Sequence, residues 1–222
     1  IMTGCLLCKG QIEEKSSFLQ LFLLKGEEPR CCSICYQNFE CISEERCPRC
    51  FRNGKSDLCI DCKKWEGEGN QVQHQSLFTY NEAMKNYFSQ YKFQGDYVLR
   101  FVFAKAAKKA VKMFREHTIV PIPVSIEKFQ VRGFNQVRGI LDAANLSYRD
   151  ILEKKDTLAQ SSKTREERLQ TQQVFKIKNG VELLDKILLV DDIYTTGKTL
   201  QLAKQILLEA GVKEILTFSI AR

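Results

Sequence analysis

The chain has 222 residues, 44% hydrophobic, 10% aromatic and 27% charged, with a formal net charge of +7. A chain of this length can bury a sizeable core, and its aromatic content excludes general disorder. No apolar stretch approaches the ~18 uncharged residues of a membrane span; Phe18–Leu24 is the longest candidate and Lys25 ends it. The first residues lack a basic n-region and a small-residue cleavage site, so a cytoplasmic protein without membrane insertion is expected.

All ten cysteines lie between Cys5 and Cys62, and charge divides at the same place. Residues 1–62 carry 8 Lys and Arg against 9 Asp and Glu, whereas 63–222 carry 26 against 18. Two compositions predict two domains, residues 1–65 and 66–222, with a linker near Trp65–Asn70. Eight of the cysteines form CxxC pairs: Cys5/Cys8, Cys32/Cys35, Cys47/Cys50 and Cys59/Cys62. Two intervening residues let a turn aim both sulfurs at one ion, and two such pairs close a tetrahedral zinc site with no open position for chemistry. The third and fourth pairs have short zinc-ribbon spacing, and the outer two can make a second site; an alternating cross-brace is the other arrangement. Cys31 and Cys41 are left over. A disulfide scaffold fits poorly with the absence of an export signal, and iron–sulfur ligation uses the same thiolates. One or two structural zinc ions are expected, supplying folding energy to a segment too short for much core.

Beyond Asn70 the pattern alternates. Leu77–Tyr80 predicts a short strand, and Asn81 caps a helix reaching about Tyr91. Asp96 is placed to cap a second helix, from Tyr97 to about Arg115. His117–Val124 predicts a strand ending in a Pro-rich turn, and Phe134–Leu146 a helix. Lys186–Val190 reads as a buried parallel strand, followed by a loop, a helix over Thr199–Ala210 with Gly211 as its C-cap, and a strand over Glu214–Ile220. This is a βαβ unit of an α/β parallel sheet, in which ligands bind at the carboxyl ends of the strands.

The loop after Val190 reads Asp191-Asp192-Ile193-Tyr194-Thr195-Thr196-Gly197-Lys198-Thr199. It is not a Walker A motif, because Asp192 stands where that motif needs its first glycine and two carboxylates would repel nucleotide phosphates. Thr195, Thr196, Gly197 and Thr199 offer hydroxyls and unobstructed N–H groups at a helix N-terminus, a cradle for one phosphate. The preceding acids suit a polyhydroxyl group on that phosphate, or a divalent cation beside it. A 5-phosphorylated ribose has both features.

ILLVDDIYTTGKT resembles the signature of type I phosphoribosyltransferases. The resemblance implies that Asp191 and Asp192 hold the ribose hydroxyls of phosphoribosyl pyrophosphate (PRPP), with Thr195, Thr196, Gly197, Lys198 and Thr199 around its 5-phosphate and Mg²⁺ bound with it. Four CxxC pairs, then Val120-Pro121-Ile122-Pro123, Arg132-Gly133-Phe134-Asn135-Gln136 and this loop, together resemble the ComF/ComFC family of competence proteins along essentially the whole chain. Lys198 stands where a small residue is common in that family. Membership implies a role in natural transformation, in which incoming DNA enters as a single strand, beside a helicase-like ATPase. By the same resemblance Arg132 lies where pyrophosphate departs, and a cation there stabilises the leaving charge. Lys163, Arg165 and Arg168, in the polar stretch Gln160–Gln173, match a loop that closes over such sites. Lys92-Phe93 resembles a family position to which no chemistry is assigned.

Lys105, Lys108, Lys109 and Lys112 recur at helical spacing. They form either the wet side of an amphipathic helix or a track for a nucleic-acid backbone. The resemblance implies three alternative functions: PRPP binding in the service of single-stranded DNA uptake, phosphoribosyl transfer to an acceptor, and PRPP-responsive regulation.

Overall fold

The computed structural model describes residues 4–12, 30–54, 56–154 and 173–222. Lys163, Arg165, Arg168 and Phe18–Leu24 therefore lie outside the described residues. Four parallel strands form the central sheet in the order β1-β6-β5-β2: β1 (His74–Phe78), β2 (Thr118–Pro121), β5 (Lys186–Ile193) and β6 (Glu214–Ala221). A small antiparallel pair, β3 (Leu152–Lys154) and β4 (Phe175–Ile177), stands apart from it. The two central strands are buried along nearly their whole length because both faces of the sheet are covered, as an all-parallel sheet requires.

The cysteine segment contributes α1 (Ser33–Gln37) and α2 (Ile60–Gly67). Residues 65–67 of the expected linker thus complete a helix. Asn81 accepts from the Met84 N–H and caps α3 (Glu82–Phe93). The single helix expected over 97–115 is instead a 3₁₀ turn (Tyr97–Phe101), then α4 (Ala104–Val111), then another 3₁₀ turn (Lys112–Phe114). Asp96 makes no side-chain cap bond there. A short helix that the sequence reading lacks, α5 (Ile126–Arg132), is capped by Ser125 and precedes α6 (Gln136–Ala143). Helix α7 (Lys198–Glu209) links β5 to β6.

Two apolar clusters sandwich the sheet. On one side Phe39, from the cysteine segment, meets Phe78, Tyr87 and Phe103 edge-on, with ring centroids 4.8–6.2 Å apart. On the other, Cys47, Cys50 and Cys62 are buried with Leu189, Tyr194, Ala203 and Leu207. The cysteine segment is thus built into both faces of the α/β core. Among the described residues, no helix is long and apolar enough to cross a membrane.

Candidate functional site

Strand β5 runs through to Ile193, so Asp191 and Asp192 are strand residues rather than loop residues, the former in register with Ser219 of β6. The extension follows from Ile193, whose backbone pairs with Ala221. Both acids are buried, at 8% and 5% exposure. They differ in partners. Burial works upward on Asp192, but the Lys92 ammonium paired with it, helped by Asp191 and the Gln136 amide, outweighs burial and holds the carboxyl below its usual range. Burial, reinforced by the charge of Asp192, pushes Asp191 well above that range, although its Oδ1 accepts the Asp192 N–H at 2.9 Å.

Each residue of Arg132-Gly133-Phe134-Asn135-Gln136 has a part in assembling this site. Gly133 ends α5 at φ 78°, a left-handed conformation that favours glycine. Phe134 stacks on Tyr91 at 5.1 Å and leans on Tyr97. Asn135 donates to the Ile122 carbonyl at the end of β2 while its Oδ1 accepts from Val137 and Arg138, capping α6. Gln136 is thereby aimed at Asp192, donating at 3.4 Å, and its Oε1 accepts from Arg132 Nη1 at 3.0 Å. Arg132 also lies over the ring of exposed Phe93, at 5.3 Å. Lys154 of β3 sits in the field of Asp191; burial and nearby Lys128 pull its ammonium below the ordinary lysine value. Lys92 is thus paired with Asp192, Lys154 lies in the field of Asp191, and Arg132 reaches the pair through Gln136.

The helix N-terminus follows at once. Gly197 occupies the N-cap of α7 at φ 82°, and no side chain caps the helix. Thr195, Thr196, Lys198 and Thr199 are exposed around it. A Cβ at Gly197 would lie 2.1 Å from the Tyr194 hydroxyl, so this position needs glycine both for its backbone and for the ring beneath it. The Tyr194 ring rests on His74 at 4.1 Å. His74 in turn binds Thr217, Ser76 and Ser219 inside the sheet, and its burial keeps it neutral, well below the ordinary histidine value.

The cysteines form two groups, Cys5/Cys8/Cys32/Cys35 and Cys47/Cys50/Cys59/Cys62, in each of which the sulfurs lie within 4.8 Å of one another. The pairing is sequential, first with second and third with fourth, not cross-braced. Tetrahedral zinc with ~2.3 Å bonds sets sulfurs about 3.8 Å apart, close to the 3.9 Å between Cys8 and Cys32 and the 3.5 Å between Cys50 and Cys59. Burial pushes the Cys5 and Cys47 thiols up, but converging backbone N–H groups more than reverse it, bringing them down to about 6 and 7. Both groups fit a metal ion, and no described cysteine is disulfide-bonded. Cys31 falls outside the first group, 4.0 Å from Cys5, and burial raises its thiol; Cys41 also stands outside both groups.

The sequence reading missed the partners of the acids. Lys92 is one of many lysines and gains its meaning only from where α3 ends. Gln136 was visible within a motif, but its target lies 56 residues away.

A parallel α/β sheet with paired acids at the end of a central strand, an uncapped helix beyond them and an N-terminal cysteine module is the phosphoribosyltransferase-like architecture. Competence protein ComFC of Streptococcus pneumoniae is 47% identical over 218 residues, spanning 98% of this chain and 99% of that protein. Competence protein ComFC of Bacillus subtilis is 34% identical over 215 residues, covering 93% and 89%. Competence protein F of Haemophilus influenzae is 27% identical over 182 residues, covering 74% and 78%. No family model matches the chain. The chain belongs to the ComFC family of competence proteins.

Proposed function

We propose that this chain binds PRPP at the end of β5 and serves natural transformation by handling incoming single-stranded DNA with a helicase-like ATPase. The observation that carries the PRPP reading is the junction of the buried pair Asp191/Asp192 with the uncapped N-terminus of α7. Carboxyl oxygens accept from vicinal ribose hydroxyls, and the first N–H groups of a helix receive a phosphate. Lys92, Lys154 and Arg132 give that position the positive surroundings that a polyanion requires. Arg132 faces the pyrophosphate in this reading, and Mg²⁺ enters with it. The competence role rests on the names of the relatives. The DNA role has support from exposed Lys105, Lys109 and Lys112, and from exposed Phe93 and Phe129 as stacking faces for bases.

Asp192→Asn separates the two ligands. It is expected to abolish PRPP binding while single-stranded DNA binding survives, and Lys108→Glu/Lys109→Glu should do the reverse. Loss of both ligands together in the folded Asp192→Asn protein would unseat the reading. Transfer of the phosphoribosyl group to an acceptor is the second reading, favoured by Arg132, which is joined to Asp192 through Gln136, because a cation there stabilises departing pyrophosphate.

A further inference from the structure

Arg222 follows β6, its backbone donating to the Phe78 carbonyl at 2.9 Å and accepting from Tyr80 at 2.8 Å. Its side chain is 7% exposed and touches two parts of the molecule at once. Nη2 donates to Cys50 Sγ at 3.3 Å and to Asp61 at 3.2 Å. Nη1 donates to the carbonyl of Tyr194 at 3.4 Å and to that of Thr195. A second donor comes from the same cysteine group. Trp65 lies on α2, whose N-cap is Cys59 and whose first turn holds Cys62, and its indole N–H donates to the Thr196 carbonyl at 2.8 Å.

Three consecutive carbonyls, at 194, 195 and 196, are therefore bound from the side of the cysteine group. In a trans peptide the C=O of one residue and the N–H of the next point in opposite directions, and none of the peptides here is cis. Fixing these oxygens thus aims the N–H groups of Thr195, Thr196 and Gly197 away from the cysteine group. None of those three N–H groups bonds to another described residue. The Tyr194 ring, with Arg222 at 4.7 Å from its centroid and His74 on the ring, keeps the turn from collapsing inward.

We propose that Arg222 and Trp65 are positioning residues, through which the metal group Cys47/Cys50/Cys59/Cys62 sets the phosphate-holding turn. This rests on the PRPP reading above. Four thiolates around a divalent cation retain two negative charges, which hold the Arg222 guanidinium in place. They also fix the first turn of α2, and with it Trp65. Without the ion Arg222 keeps only Asp61 as a charged partner on that side and the first turn of α2 under Trp65 loosens, so the carbonyls are held less firmly and the N–H groups are no longer fixed outward. The group is then more than a local staple: metal occupancy and phosphate affinity are linked, and linkage is reciprocal.

The test uses the full chain loaded with zinc. PRPP with Mg²⁺ is titrated calorimetrically into wild type, Arg222→Gln, Arg222→Lys and Trp65→Phe, with far-UV circular dichroism as the control for folding. Zinc affinity is measured by competition with a chromophoric chelator, with and without PRPP. Losing a donor to two carbonyls is expected to weaken PRPP about tenfold in Arg222→Gln, with partial rescue in Arg222→Lys and a smaller loss in Trp65→Phe. PRPP should tighten one of the zinc equivalents in wild type, and this effect should vanish in Arg222→Gln. Should Arg222→Gln fail to fold, Trp65→Phe and the wild-type chelator competition decide. Wild type that binds PRPP, with variants that bind it equally and zinc indifferent to PRPP, overturns this inference and leaves the PRPP reading intact. Wild type that fails to bind PRPP overturns both.

Discussion

Asp192 is buried and Lys92 mostly so, and the two are paired, with side-chain exposures of 7% and 12%. Removing one partner of such a pair strands the other charge, whereas removing both costs much less. Lys92→Met should therefore destabilise the protein by about 3 kcal/mol, and Lys92→Met/Asp192→Asn should recover most of it in denaturant unfolding. Asp191 has the opposite sign. Its folded pKa is raised, so it favours the folded state below the ordinary carboxyl pKa, and that contribution is lost as pH rises through the folded value. Asp191→Asn keeps the acceptor for the Asp192 N–H and removes the ionisation. It should raise Tm near neutral pH by about 2–4 °C for each ~1 kcal/mol relieved, with a smaller gain near pH 4, while PRPP binding falls. An equal gain at both pH values would contradict the upward shift of Asp191. Such a trade of stability for function is expected where a buried acid serves a ligand.

The element that carries most of the site is the turn from β5 to α7. Gly197→Ala places a Cβ against the Tyr194 hydroxyl in a left-handed backbone. It is expected to cost about 1–3 kcal/mol and to lower PRPP affinity more than Thr195→Ala does; unchanged thermal unfolding would contradict the geometry. The acids, the threonines and the CxxC pairs were legible in the sequence because each chemistry is local: neighbouring residues do the work. Strands β5 and β6 and the cap at Asn81 were legible for the same reason. Helix α5 was not, since Ile126, Phe129 and Val131 are exposed and give no buried face to detect. The breaks around α4 were hidden as well, because helical spacing persists through 3₁₀ turns. Lys92, Gln136, Trp65 and Arg222 gain their roles only from tertiary contacts.

At the scale of the whole molecule, the cysteine segment is not an appendage. Phe39 enters one core cluster, and Cys47, Cys50 and Cys62 enter the other. Metal removal should therefore loosen the α/β sheet as well as the segment itself, lowering Tm by on the order of 10 °C. Metal analysis should return two zinc per chain for the two groups, and substantial iron would contradict this. The central question is whether the end of β5 and the start of α7 form a phosphoribosyl site. Calorimetric titration of PRPP with Mg²⁺ into zinc-loaded wild type and Asp191→Asn/Asp192→Asn tests this most directly. Saturable binding by wild type, lost in the folded double variant, is the predicted result; no binding by wild type, or equal binding by both, would contradict it.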